Sequence, residues 1–303
     1  MNQKRISPFA EFSIYLSQYV SILFSSTKSL LVSVFFPFVA AIITVWIAGE
    51  NMFLHYDGTK SGMFVIVCAA IWGGLFNSIQ TIVKERDNIK RDYAAGARIG
   101  AYMMSRTVVQ LVMCAVQSVI LTAAIPVIHI VYESEDVVRQ YPDKPVDLLA
   151  YYLSVFLLMF AADAMGLFAS SIVRKQETAS VMAPYILIVQ LIFSGILFAM
   201  DKGASKIVSY FMLSRWGMQA LGSISNLNAL QLRMEHESTE LTTLVNNAVQ
   251  TGQISENPFV HNEALFENEM STVLIAWGIM LAFIIVFIVG ATIFLHRVSK
   301  DKR

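Results

Sequence analysis

Six stretches of this chain, 30–48, 63–83, 107–131, 148–173, 179–200 and 271–294, approach or exceed the roughly 20 apolar residues a helix needs to cross a bilayer. A backbone in hydrocarbon must satisfy its own N–H and C=O groups, which a helix does within one segment. The spacing predicts an all-α membrane protein with six transmembrane helices. Charged residues make up 15% of the chain, against about 25% in soluble domains. The net charge of zero gives no electrostatic footprint for nucleic acid, and none is expected as a partner. Pro37, Pro126 and Pro184 fall inside expected spans, where neighbouring helices can satisfy the freed carbonyls, so each is expected as a local kink.

Charge placement sets the orientation. With the N-terminus inside, the inner segments hold Lys4, Arg5, Lys28, the basic residues from Lys84 to Arg106, Arg174, Lys175, Arg297, Lys300, Lys302 and Arg303. That is 15 of the 22 Lys and Arg residues, while the outer segments hold 15 of the 22 acids. Both termini are therefore expected in the cytosol, and a bacterial plasma membrane is the expected location. The opening MNQKRISPFAEF has no compact apolar core before a small-residue cleavage site, so no cleaved signal peptide is expected. Cys68 and Cys114 lie in apolar stretches and offer neither a disulfide framework nor a CxxC site.

Before the first span, Phe9, Phe12, Leu16, Tyr19, Val20, Leu23 and Phe24 recur at helical spacing, with Glu11, Ser13, Ser17 and Ser21 among them. An amphipathic helix over 8–27 lying in the membrane interface is expected; the alternative is a simple extension of the first span. The last outer segment, 201–270, has two parts. Residues 205–224, apolar with a central Arg215–Trp216, are too short and too polar for a seventh span and fit a re-entrant or surface helix. Residues 226–269 are polar and acid-rich, with a helical stretch expected around 230–249.

Several chemistries are missing. No GxxxxGK[ST] phosphate cradle, HExxH or GxSxG occurs, and the five histidines show no paired ligand spacing. Neither catalysis by this chain nor a metal or cofactor of its own is expected. Polar residues inside spans are the default functional candidates because burying them in hydrocarbon is costly. Asp163 is the only acid well inside a span. It reads as a proton or substrate site, or as a packing contact to Gln110, Gln117 or Gln190. Asn77, Gln80 and Gln190 read equally as interhelical hydrogen bonds or cavity contacts.

The densest run of charge, Lys84 to Arg106, joins the second and third spans. A solvated loop explains its basic residues but not the interleaved Glu85, Asp87 and Asp92, nor the Gly/Ala elbow at 94–97. The pattern Glu85-x6-Asp92-Tyr93-x2-Gly96, followed by Ala101-Tyr102-Met103-Met104-Ser105-Arg106, resembles the loop between the second and third spans of G-type ABC exporters (white/pleiotropic-drug-resistance-like, type 2). The run from Tyr210 to Leu221, YFMLSRWGMQAL, is similar to that family's outer re-entrant element, with Leu213-Ser214 where a proline is usual. The resemblance covers nearly the whole chain.

It implies a single permease domain, 1–303, working as a dimer of membrane domains with nucleotide-binding ATPase subunits that carry the ATP-Mg. Glu85, Arg86, Asp87, Lys90, Arg91, Asp92, Tyr93 and Gly96 would form the coupling element, with 8–27 the connecting helix beside it. Trp72, Phe76, Asn77, Ile188, Leu191 and Ile192 would line the substrate path, with an apolar gate near Phe193 to Leu197. The apolar, Met- and Phe-rich character of such a path favours amphipathic drugs, lipids or hydrophobic peptides over ions or sugars. Two other readings stand beside it: a proton-coupled secondary carrier using Asp163, and a membrane scaffold or sensor whose acidic outer insert binds a ligand.

Overall fold

The computed structural model describes residues 7–49, 52–53, 55–131, 145–194, 203–230 and 263–300. The expected helix around 230–249 and Leu197 lie outside the described residues. Among those described, the regular structure is helical throughout: α1 (Pro8–Ser25), α2 (Thr27–Ala48), α3 (Tyr56–Ser78), α4 (Thr81–Ala94), α5 (Ile99–Val131), α6 (Pro145–Ile172), α7 (Gln176–Ile192), α8 (Gly203–Ser209), α9 (Leu213–Ile224) and α10 (Met270–Lys300).

Five helical stretches among these residues are long and apolar enough to cross a membrane: Leu30–Ala48, Tyr56–Ala94, Ile99–Val131, Asp147–Ile172 and Met270–Arg297. The expected fifth span appears as α7, whose 17 residues reach only ~25 Å at 1.5 Å per residue. Its expected continuation over 195–200 is outside the described residues. The expected second span is interrupted: α3 ends at Ser78, Ile79–Gln80 form a turn, and α4 begins at Thr81. The break is stabilised from a neighbour, because the N–H groups of Ile82 and Val83 both donate to Ser170 Oγ of α6 at 3.1 Å. Those are first-turn donors with no partner inside their own helix.

Helix α1 starts at a cap formed by Ser7, whose hydroxyl accepts the Ala10 N–H at 3.2 Å, with Pro8 and Glu11 in the favoured first-turn positions. It gives way to α2 at the single residue Ser26. Helix α6 forms the centre of the bundle: 83% of its spanning window is buried, against 28% for α2 and 22% for α10. It crosses α3 on one side and α10 on the other. In hydrocarbon, helices gain little from apolar burial and associate through close packing of small residues. At the α3–α6 crossing a Cβ on Gly74 would sit 2.0 Å from the Met159 carbonyl oxygen, and one on Gly166 2.2 Å from Ser78 Oγ. The backbones could not approach this closely with side chains at those positions.

The run expected as an outer re-entrant element packs against the bundle as a short helix. After a turn over Tyr210 and Phe211, α9 buries Leu213, Ser214, Trp216, Gly217, Met218, Ala220 and Leu221, packing on α3, α6 and α10. Beyond it, Asn228 and Glu263 exchange two hydrogen bonds, Nδ2 to the Glu263 carbonyl at 3.0 Å and the Glu263 N–H to Oδ1 at 3.2 Å. Lys60 of α3 reaches Glu263 Oε1 at 2.6 Å. The two ends of the acidic insert are thereby held together against the start of α3.

Candidate functional site

Helix α4 is amphipathic, and its two faces meet different surroundings. Ile82, Val83 and Ile89 are buried. Ile89 joins a cluster with Ile99, Tyr102, Met103, Leu167, Ala291 and Leu295, which fastens α4 to α5, α6 and α10. Lys84, Asp87, Asn88 and Arg91 are exposed. The chain leaves α4 through Gly96, whose φ of +98° is the left-handed conformation that glycine adopts at least cost. The Gly96 N–H donates to the Tyr93 carbonyl at 2.9 Å and the Ala97 N–H to the Asp92 carbonyl at 3.0 Å, the hydrogen-bond pattern of a Schellman stop. The expected elbow is therefore a helix terminus with defined geometry.

The residues expected to form the coupling element divide into two groups. Glu85 turns inward, accepting from Arg106 Nη2 and, at 2.7 Å, from the Tyr102 hydroxyl. Arg86 donates to the Val173 carbonyl at the end of α6. Asp92 accepts from the Tyr15 hydroxyl of α1 at 3.3 Å, and the Tyr93 ring meets His296 of α10 edge-on at 5.7 Å. Lys90 is half-buried. Asp87 and Arg91 are left to face outward. Helix α1 is tied to the same corner again one turn earlier, where Glu11 accepts the Arg98 N–H at 3.2 Å.

The sequence reading did not single out Arg106 as a site. Its side chain is 1% exposed and its guanidinium carbon lies 3.9 Å from the Tyr19 ring centroid and 4.6 Å from that of Tyr102. Arg106 Nε and Nη1 have no hydrogen-bond partner among the described residues, so the two rings supply the remaining stabilisation of the cation. The available signal was periodic: Tyr102, Arg106 and Gln110 recur every fourth residue along an apolar helix and so share a face.

From this layer the polar contacts continue into the bundle. Gln110 Nε2 donates to Tyr19 Oη at 3.0 Å and to the Asn77 carbonyl at 3.1 Å. Asn77 Nδ2 donates to Gln117 Oε1 at 2.6 Å, and Gln117 Nε2 to Ser33 Oγ at 2.6 Å. Together they floor a cavity of about 340 Å³ between α1, α2, α3 and α5. Trp72 and Phe76, stacked with centroids 5.6 Å apart, stand on its wall. Trp72, Phe76 and Asn77 of the expected path thus meet here, but no α7 residue lines this cavity. Ile188 and Ile192 are exposed, Leu191 packs on the main core, and Phe193 is half-buried.

Asp163, on α6, is fully buried, and neither carboxylate oxygen has a hydrogen-bond partner among the described residues. None of its expected glutamine partners bonds to it. Gln110 and Gln117 are engaged as above, and Gln190 accepts the Ser214 N–H at 3.2 Å while its main-chain carbonyl takes the Ser214 hydroxyl. Gln190 therefore anchors α9 to α7. Ser78 donates instead to the main-chain carbonyl of Asp163 at 2.6 Å. Between α8 and α9, Arg215 reaches Ser209 Oγ at 2.6 Å and stacks 4.2 Å from the Tyr210 ring, and the Trp216 indole donates to the Tyr210 carbonyl at 2.9 Å. Both residues hold the α8–α9 turn. No cluster of three or more His, Cys, Asp or Glu among the described residues is placed to hold a metal ion.

Comparison with curated proteins gives no match. The family model described as ABC-2 type transporter matches residues 10–225, from α1 through the end of α9. That span contains the α4 corner, the buried Arg106 layer and the buried helix α9. The chain belongs to the ABC-2 type transporter family, as a membrane component of such a transporter.

Proposed function

We propose that the chain is the permease of an ATP-driven exporter, working as a dimer of membrane domains and driven by nucleotide-binding subunits that carry the ATP-Mg. The observation that supports this best is the division of labour on α4. One face is committed to α1, α5, α6 and α10, and the other offers Lys84, Asp87, Asn88 and Arg91 to the outside of the bundle. A short helix so anchored can pass a push on its charged face directly to α1 and α5, and through Arg106 to the base of the cavity. The outward residues Asp87 and Arg91 dock the ATPase in this reading; Glu85, Arg86, Asp92 and Tyr93 transmit by holding α4 in place. The inside placement of both termini accords with the distribution of basic residues.

The test is copurification from native membranes of the unaltered chain and of Asp87→Arg combined with Arg91→Glu. The unaltered chain is expected to bring down a P-loop ATPase and stimulate its ATP hydrolysis, and the charge-reversed chain to lose both. Retention of full ATPase stimulation by the reversed chain would refute docking through α4.

A second reading, proton-coupled transport through Asp163, draws on the unpartnered buried carboxyl. It requires that Asp163→Asn abolish transport driven by a proton gradient without nucleotide. ATP-dependent transport surviving that substitution excludes it.

A further inference from the structure

The start of α1 and the first turns of α5 border an open groove of about 620 Å³, which shares no residue with the cavity that holds Trp72 and Phe76. Its lining is mostly apolar: Phe9 and Phe12, with ring centroids 6.4 Å apart, together with Ala101 and Met104. Phe9 is 79% exposed and Met104 55%, an apolar patch that water penalises and an acyl chain would cover. Gly100 also lines the groove, and a Cβ there would meet nothing within 4 Å, so this edge of α5 is unfilled.

The rim carries one charge of each sign. Arg98 lines the groove, is exposed, and its guanidinium pairs with no acid among the described residues. Beside it, Glu11 takes the Arg98 main-chain N–H on Oε2, which leaves Oε1 open to a further donor. A headgroup that is only anionic would be repelled by Glu11, and one that is only cationic by Arg98. A dipolar headgroup suits both, with its phosphate on the guanidinium and its ammonium on the carboxylate. A primary ammonium has N–H groups to donate to Glu11, which a trimethylated one lacks.

We propose that this groove holds a phosphatidylethanolamine molecule of the surrounding bilayer, with its phosphate on Arg98, its ammonium on Glu11 and an acyl chain over Phe9, Phe12 and Met104. The lipid is a resident partner of the α1–α5 junction and not the molecule carried. The Glu11–Arg98 hydrogen bond ties α1 to the α4 corner, so the bound headgroup reinforces that tie.

The test is native mass spectrometry of the purified full chain, released from detergent micelles holding palmitoyl-oleoyl phosphatidylethanolamine, phosphatidylcholine or phosphatidylglycerol at matched mole fraction. The first bound phosphatidylethanolamine is expected to be held about three- to fivefold more tightly than either other lipid, the weight of one exposed charge pair. Gly100→Leu fills the groove without meeting a neighbour, and Glu11→Gln keeps an acceptor for the Arg98 N–H while removing the charge. Each is expected to abolish the preference. Equal affinity for the three lipids, or tighter binding of phosphatidylglycerol, overturns the proposal. So does an undiminished preference in a monodisperse Gly100→Leu chain. If a variant does not fold, the comparison of the three lipids on the unaltered chain decides alone. No ATPase enters this measurement, so its failure is distinct from a failure of docking through α4.

Discussion

Replacing Glu85 by glutamine removes the carboxylate that pairs with Arg106 and strands a buried guanidinium. The Arg106 side chain is 1% exposed and that of Glu85 20%, so water screens the pair from one side only. At ~4 Å between charge centres and an effective dielectric constant of about 20, opposite unit charges attract by ~4 kcal/mol. Solvent at Glu85 reduces that figure, and the rings of Tyr19 and Tyr102 retain about 0.5–2 kcal/mol of cation stabilisation after the carboxylate is gone. Glu85→Gln is therefore expected to cost ~2–3 kcal/mol, at the lower edge of the cost of breaking a buried pair. Adding Arg106→Met removes the stranded charge, and the double variant is expected to lose less than the sum of the singles by ~1.5 kcal/mol or more. The assay is the unfolding free energy of all four proteins of the cycle, by denaturant titration in detergent micelles. Costs that add within about 0.5 kcal/mol would show that the two residues do not interact and that Arg106 is stabilised by other groups.

Three further outcomes follow from particular contacts. Gly74→Ala places a methyl group 2.0 Å from a main-chain oxygen of α6, which cannot rotate away, so unfolding should become easier by ~3 kcal/mol or more; an unchanged titration midpoint would contradict the close crossing. The Tyr15 phenol is pushed up from 10.0 to about 12, first by burial and then by the neighbouring Asp92 carboxylate. The fold thus favours the neutral phenol, and this contribution to stability is present below pH 10 and lost as pH rises through about 12. Phenolate absorbance of the unaltered chain minus that of Tyr15→Phe should titrate above the ordinary tyrosine range, and an ordinary midpoint would show that Tyr15 is not packed against Asp92. Ser170→Ala leaves the Ile82 and Val83 N–H groups without their acceptor and should cost ~1 kcal/mol, the typical value of a lost helix cap, with faster amide exchange at those two positions.

Much of this architecture is legible in the chain because hydrocarbon imposes strong rules. Length and hydropathy place α2, α3, α5, α6 and α10, and the 3.6-residue repeat of Phe9, Phe12, Leu16 and Tyr19 marks α1. The glycine after a charged helix marks the stop at Gly96. Hydropathy reports the medium around a residue and says nothing of its partner. Glu85 and Arg106 are 21 residues apart and Tyr15 and Asp92 77 apart, so which charges of α4 turn inward is decided by tertiary packing. The same limit explains Trp72 and Phe76, whose place on a cavity wall with α1 and α5 depends on helix rotation. The early end of α3 was hidden because Ile79 to Val83 are apolar enough to continue a span, and only Ser170, 87 residues beyond Val83 in sequence, favours the break.

The central claim is that α4 presents its charged face to an ATPase, and site-directed cross-linking in native membranes tests it most directly. Cys68 and Cys114 are replaced by alanine, and a single cysteine is introduced by Asp87→Cys on α4 or by Ser271→Cys, an exposed position at the far end of α10. Position 87 is expected to capture a P-loop ATPase whose hydrolysis is stimulated by this chain, and position 271 to capture none. Equal capture from both positions, or an ATPase that copurifies with the chain yet never cross-links to position 87, would contradict it.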